Sequence, residues 1–265
     1  MPQSSFQPRI LGRSGLRVSA LGIAASYGVP AAAVEEAFDR GVNYLYWGSL
    51  RRGAFAQALR NLRSRRDEMA LALQSFSRLG GMLERGVERG LREIGYERAD
   101  VLLLGYWQGP VWPRVRDAAL RLRERGLVRH IGMSSHHRPL VPQLAGDNIW
   151  DVFHLRYSAV HRGAERDVFP QLPAANAPGI VAYTATSWGR LLHARRMPAG
   201  VKTPSGADCY RFALSHPSVD VCMTGPANLL QMRESLRALE LGPMCEEELA
   251  WMRRAGDAIR GATSA

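Results

Sequence analysis

The sequence predicts an α/β chain folded as a single (β/α)8 TIM barrel with an N-terminal hairpin and an extra C-terminal helix, and three observations carry that expectation. Short, nearly continuous apolar runs such as Val101-Leu-Leu-Leu104 have the character of strands covered on both faces. They alternate strictly with amphipathic stretches whose apolar residues recur every three or four positions, and eight such pairs match a closed parallel barrel. A length of 265 residues with a 46% apolar share fills one barrel core, so residues 1–265 read as one domain. An open doubly wound sheet would place Gly-x-Gly-x-x-Gly after its first strand, and none is there.

In chain order, Leu11-Gly-Arg-Ser-Gly-Leu-Arg-Val18 sets turn residues between apolar flanks and reads as a short hairpin or plug. Strands are expected near 18–23, 42–46, 69–73, 101–104, 130–133, 152–156, 180–184 and 219–223. The intervening helices are expected near 31–40, 53–63, 80–94, 112–126, 138–145, 164–172, 206–215 and 228–239. Gly81, Gly86 and Gly90 weaken the third helix by about 1 kcal/mol each relative to alanine. After Gly242-Pro243, residues 246–259 form one more amphipathic helix outside the barrel count.

A formal charge of +11 raises the prospect of an anionic partner. The arginines are spread over expected helices, however, as with Arg85, Arg89, Arg92, Arg114, Arg116, Arg121, Arg123 and Arg125, so solvated faces are the reading and nucleic acid is not an expected partner. No apolar run approaches the ~20 residues that span a bilayer. The start Met-Pro-Gln-Ser-Ser also lacks the order of a secretion signal, so a cytoplasmic protein without a membrane partner is expected. Cys209, Cys222 and Cys245 are few, odd in number and dispersed, as reduced thiols are. His136, His137 and His154 have no recognised metal spacing, and no metal site is expected.

The chain is organised around Gly41-Val-Asn-Tyr-Leu-Tyr-Trp-Gly48, whose end falls at the mouth of the barrel, where barrel sites lie. There Tyr46 is either a proton donor or a pocket wall. Trp47, Tyr106 and Trp107 belong to a flat aromatic pocket or to core packing at the rim, and a small molecule, aromatic on the first of these readings, is the expected ligand. Arg51 and Arg52 in the same loop are anion holders or an exposed pair. His136 is the nearest candidate for a general base, with solvent exposure as the alternative, and Arg156 is the candidate anion clamp.

Several segments, in order and spacing, resemble the aldo-keto reductase family across nearly the whole chain. Leu11-Gly-Arg-Ser-Gly-Leu-Arg-Val-Ser-Ala-Leu-Gly22 is similar to the family's opening hairpin and first strand. Gly41-Val-Asn-Tyr44 is similar to its second strand, Gly126-Leu-Val-Arg-His-Ile-Gly-Met-Ser-Ser135 to its fifth, and Ala182-Tyr183 through Gly189 to its seventh. The resemblance implies an NADP(H) cofactor at the carboxyl ends of the strands. It implies that Ser134, with Ser135 and His154 in place of the usual asparagine and glutamine, holds the nicotinamide carboxamide, and that Tyr183 stacks on the ring. Gly225-Pro-Ala-Asn-Leu-Leu-Gln-Met-Arg-Glu-Ser235 resembles the phosphate and adenine segment, keeping Gly225, Asn228, Gln231 and Glu234. A strand-to-helix junction there offers free amides and a helix dipole to an anion; an ordinary loop with Asn228 as N-cap is the alternative.

The reaction set departs from the family. Tyr46 stands at the aspartate position, no tyrosine follows it in Trp47-Gly-Ser-Leu-Arg-Arg-Gly53, Gln74 stands at the lysine position and Gly105 at the histidine position. Lys202, the sole lysine of the chain, lies beyond the seventh strand. Without a neighbouring cation a phenol keeps a pKa near ~10 and is a poor acid at neutral pH. The expectation is an NADP-dependent oxidoreductase-like protein with non-standard catalytic residues. Its alternatives are a catalytically silent dinucleotide- or ligand-binding barrel, and non-redox chemistry in the same pocket.

Overall fold

A computed structural model describes residues 5–48 and 51–261; the sequence-based reading of the first residues, and part of the loop after Gly48, lie outside the described residues. An antiparallel hairpin of β1 (Arg9–Ile10) and β2 (Arg17–Val18) precedes eight parallel strands: β3 (Leu21–Ala24), β4 (Tyr44–Trp47), β5 (Ala70–Ser75), β6 (Ala99–Leu104), β7 (Val128–Ser135), β8 (Val152–Arg156), β9 (Gly179–Tyr183) and β10 (Val221–Thr224). These close into a barrel in the order β10-β3-β4-β5-β6-β7-β8-β9. Around it lie α1 (Ala31–Asp39), α2 (Gly53–Asn61), α3 (Gly80–Ile94), α4 (Pro113–Glu124), α5 (Leu140–Ala145), α6 (Ala164–Asp167), α7 (Gly206–Leu214) and α8 (Leu229–Leu241), with α9 (Glu246–Gly261) as the extra C-terminal helix.

Alternation along the strands sorts side chains into two layers. Leu45, Trp47, Leu71, Leu73, Leu102 and Leu104 face the helices, whereas Tyr44, Tyr46, Ala70, Ala72, Val101 and Leu103 fill the barrel. The matching stripe on α3 is Leu83, Val87, Gly90, Leu91 and Ile94, and Gly81, Gly86 and Gly90 do not interrupt that helix. At the amino end the hairpin acts as a plug. Leu11 and Val18 are fully buried against the interior set, and the Arg13 amide donates to the Ala177 carbonyl at 2.8 Å.

Four side chains tie the amino ends of adjacent strands together. Asn43 accepts from the Ser19 amide (2.8 Å), Asp100 from Leu71 (2.8 Å), Asp151 from Ile131 (3.0 Å) and Asp220 from Ile180 (2.8 Å). Each satisfies a backbone donor where the ladder ends, which is why polar residues interrupt otherwise apolar strand starts. Burial holds the Asp220 carboxyl up at about 6, against the opposing Ile180 hydrogen bond.

Two expected elements are corrected. The anticipated first strand, 18–23, is divided, because Val18 pairs with Arg9 in the hairpin while the barrel strand starts at Leu21. The anticipated helix at 164–172 stops at Asp167, and a 3-10 turn, Phe169–Gln171, follows across Pro170, which has no amide proton to continue an α-helix. Outside the barrel, arginines pair with acids of neighbouring helices, as in Arg121–Glu84 (2.6 Å), Arg233–Glu36 (2.8 Å) and Arg253–Glu165 (2.8 Å). Among the described residues no helix is long and apolar enough to cross a membrane.

Candidate active site

The carboxyl end of the barrel opens into a cavity of about 820 Å³. Its floor is the last inward-facing residue of successive strands: Ala24, Tyr46, Gln74, Leu103, Ser134, His154, Tyr183 and Met223. Register brings them together, since Gln74 lies opposite Leu103, Ser134 opposite His154, and Arg156 opposite Tyr183. From this floor the cavity runs across Thr184 to Gly189 and Thr224 to Ala227, reaching Leu230, Gln231 and Glu234 of α8.

On the β4–β6 side the floor is neutral. The Tyr46 hydroxyl donates a short hydrogen bond to Gln74 Oε1, and burial moves the phenol above its ordinary range, with Tyr183 adding to the shift and Gln74 opposing it. A Cβ on Gly105 would lie 2.7 Å from the Phe76 ring and 2.8 Å from Gln74 Nε2, so a side chain where the resemblance expects a histidine would require both of these to shift. Lys202 is elsewhere: its ammonium lies 5.5 Å from the centre of the Trp251 ring on α9, and Trp251 Nε1 donates to the Lys202 carbonyl at 2.8 Å. No cation therefore reaches the phenol from that lysine.

The β7–β9 side carries hydrogen-bonding groups. Ser134 Oγ accepts from the Tyr106 amide at 2.9 Å, which leaves its own proton for another acceptor. His154 is fully enclosed, Nε2 hydrogen-bonds the Tyr44 hydroxyl at 2.8 Å, and burial drops its pKa to about 3, so the imidazole is neutral at pH 7. Tyr183 lies nearly covered with its ring 5.9 Å from His136, and burial raises its phenol although Arg156 pulls the other way. His136 is at the rim, T-shaped to Tyr106 at 4.6 Å and hydrogen-bonded to its hydroxyl at 3.2 Å; burial first and Arg156 second hold it below the usual histidine range. Its imidazole is therefore held toward the neutral form.

Five candidates fall outside the lining, each for a local reason. Trp47 points outward and packs on Gly90 of α3, and Trp107 lies beneath the Arg78 guanidinium at 4.0 Å and edge-on to Trp112. Ser135, one residue out of phase with Ser134, turns its hydroxyl to the His137 amide at 2.9 Å. Asn228 is the N-cap of α8, accepting from the Gln231 amide at 2.9 Å. Arg156 sits just beyond the lining, 5.8 Å over the Trp188 ring, and no carboxylate partner occurs for it among the described residues. Of the loop arginines, Arg51 is exposed, and Arg52 pairs with Glu93 at 3.0 Å while covering Trp47.

Several lining residues escaped the sequence reading. Thr224 is 2% exposed at the end of β10, and its hydroxyl has no partner. Thr184 and Trp188 hold φ of 66 and 54°, Gly189 follows at 78° and the buried Ser187, which is not in the lining, holds 51°, in turns closed by the Ser187 amide on the Thr184 carbonyl at 2.9 Å and the Gly189 amide on Thr186 Oγ1 at 3.1 Å. Phe76 comes from the loop after β5, and Tyr27 lies over Gly225, where a Cβ would meet its ring at 2.5 Å. The only sequence signal for these was position just past a strand end.

These residues fit part of a nicotinamide dinucleotide well. Ser134, His154, the Tyr183 ring and the orphaned Thr224 hydroxyl suit a flat carboxamide-bearing ring. Toward α8 the character changes: among the described residues no Arg or Lys lines the cavity, and Glu234 is its one acid.

No protein-family model matches the chain, and no curated protein matches it in sequence. Solved structures do. The holo form of aldo-keto reductase AKR11C1 from Bacillus halodurans superposes with a TM-score of 0.79 at 20% identity, covering 94% of this chain and 96% of that one. Its apo form gives 0.77 at 21% over 94% and 96%. An aldo/keto reductase from Klebsiella pneumoniae, solved with NADP and acetate, gives 0.73 at 19% over 94% and 95%. The hairpin-plugged barrel is thus the aldo-keto reductase fold.

Proposed function

We propose that this chain is an oxidoreductase of the aldo-keto reductase superfamily that holds a nicotinamide dinucleotide across the carboxyl end of its barrel and works with non-standard catalytic residues. One observation carries the reading. Ser134, His154, Tyr183, Gly225, Gln231 and Glu234, read from separate segments as cofactor residues, line one continuous cavity. NADP(H) is the form that the sequence resemblance and the Klebsiella pneumoniae complex bring to the proposal.

When bound, the dinucleotide supplies a hydride. The chain's own part is orientation and polarisation. Tyr183 offers a stacking face and Ser134 a hydroxyl proton, while Leu103 and Met223 keep part of the floor apolar. Gln74, whose Oε1 holds the Tyr46 proton, offers its amide protons to a substrate oxygen as a neutral donor, and so polarises it without a ready proton transfer. Turnover is accordingly slow.

A second reading has its own observation. Because the Tyr46 proton is committed to Gln74 and the phenol is held neutral, a catalytically silent barrel that binds dinucleotide or an aromatic ligand accounts for the same geometry. Titration of the protein with reduced and oxidised dinucleotide, followed by a panel of aromatic carbonyls, separates the two. Binding with slow cofactor oxidation supports the oxidoreductase; binding without oxidation supports the silent barrel; no binding at millimolar cofactor removes both dinucleotide readings.

A further inference from the structure

We infer that the cavity rim beside β8 and β9 holds an oxyanion subsite, where Arg156, with His161 and Trp188 beside it, grips a carboxylate or phosphate group of the bound molecule. Arg156 shares the inward phase of His154 and stands one step nearer the mouth, opposite Tyr183 in the strand register. Its guanidinium lies 5.8 Å over Trp188, which lines the cavity as Tyr183 does.

This arginine stands out by what it lacks. Among the described residues, every other arginine that is at least partly buried hydrogen-bonds a carbonyl or pairs with an acid, as Arg78, Arg138, Arg162 and Arg253 do. Arg156 is half-buried, and no hydrogen bond or ion pair occurs for it among the described residues. Partial burial of a charge costs hydration that an internal partner normally offsets. The Trp188 face attracts the cation but accepts none of its N–H groups in the way an oxygen does. The two acids that follow β8 are engaged elsewhere, Glu165 with Arg253 and Tyr157, and Asp167 with Arg138 and Arg166.

A second polar group beside it also lacks a partner. The His161 amide donates to the Ser158 carbonyl at 3.0 Å, closing a turn that brings the imidazole edge-on to Trp188 at 6.0 Å. There its Nε2 is covered and makes no hydrogen bond. His161 is held down by burial first and then by Arg156, Arg260, Arg190 and Arg138, and no acid opposes them, so this flank of the rim is positive. A planar fork of N–H donors in such a field suits paired carboxylate or phosphate oxygens and has no comparable use for a neutral group.

Calorimetric titration of the full chain compares benzoate with benzamide, its uncharged isostere, and adds inorganic pyrophosphate and NADPH. Benzoate binding at least about tenfold more tightly than benzamide assigns the subsite to a carboxylate-bearing substrate. Pyrophosphate binding that NADPH displaces assigns it to the phosphates of a dinucleotide. In either case Arg156→Gln should weaken the anion about tenfold or more, and Arg156→Lys should restore part of the loss, while benzamide is unmoved. The urea midpoint of each variant shows that it is folded; the comparison of benzoate, benzamide and pyrophosphate on the unmodified chain decides without any variant. Equal binding of benzoate and benzamide with no pyrophosphate binding at millimolar concentration, or anion binding unchanged in folded Arg156→Gln, overturns the inference. NADPH binding alongside such a failure leaves the dinucleotide reading intact, so the two fall separately.

Discussion

The two walls of the cavity meet different demands. On the β7–β10 wall, Ser134, His154, Tyr183 and Thr224 present hydroxyls, an imidazole and a ring face, and several residue types can meet a carboxamide and a flat ring in that way. On the β4–β6 wall, Tyr46, Gln74 and Gly105 stand where proton transfer would require a cation beside a phenol. A neutral amide can copy the hydrogen bond but not the charge. The difference teaches that the hydrogen bonds a carboxamide needs can come from several residue types, whereas the charge that acidifies a phenol cannot come from a neutral amide.

The sharpest way to break this contrast is to put the charge back. Gln74→Lys places an ammonium at the group now bonded to the Tyr46 hydroxyl, and an opposite charge at that range moves an acid by about 1–3 pKa units, or about 1.4–4 kcal/mol. The phenol should fall from its raised value toward the ordinary range. Ultraviolet titration checks this, with Gln74→Lys combined with Tyr46→Phe as the blank; carbonyl reduction should rise in parallel. If the difference titration is flat, a cation at position 74 does not act on the phenol, and burial alone sets its range.

Most of the fold was legible because it rests on periodicity. The third helix, 80–94, and the sixth strand, 152–156, fall where apolar spacing put them. The cavity floor was legible through the resemblance, which singled out Gln74, Ser134 and His154, and through the place of Tyr46 at the end of the second strand. Trp47 and Ser135 went astray through phase alone, since one residue of offset turns a side chain from cavity to helix layer. Thr224 and the left-handed residues from Thr184 to Gly189 carry no such pattern; backbone twist and an orphaned hydroxyl exist only once the strands are closed. Lys202 could be excluded from the third strand by sequence, but its seat on Trp251 required the α9 packing.

A smaller effect tests the other wall. Tyr44 and His154 are both fully enclosed and satisfy each other at 2.8 Å. Replacing His154 with Leu leaves the Tyr44 hydroxyl without its partner, which should cost about 1–3 kcal/mol in urea unfolding. Tyr44→Phe in the same background should recover much of that loss by removing the orphan. Additive losses in this double-mutant cycle would mean the pair is not coupled and that the wall is held by packing alone.

A further effect appears only in acid. His154 titrates near 3 in the folded chain, and His161, held down by burial and then by Arg156, Arg260, Arg190 and Arg138, titrates near 4; both start from 6.5. Between those limits the unfolded chain binds more protons, so stability is full above about 6.5 and declines as pH falls toward the folded values. Asp220 acts in the opposite sense, since a carboxyl raised from 3.8 to about 6 gains stability as pH falls through that interval. His154→Gln retains a partner for Tyr44 but cannot titrate, and it leaves Asp220 and His161 untouched. Its urea midpoint should therefore fall less steeply than that of the unmodified chain between pH 6.5 and 4, and parallel curves would show that the imidazole is not buried in its neutral form.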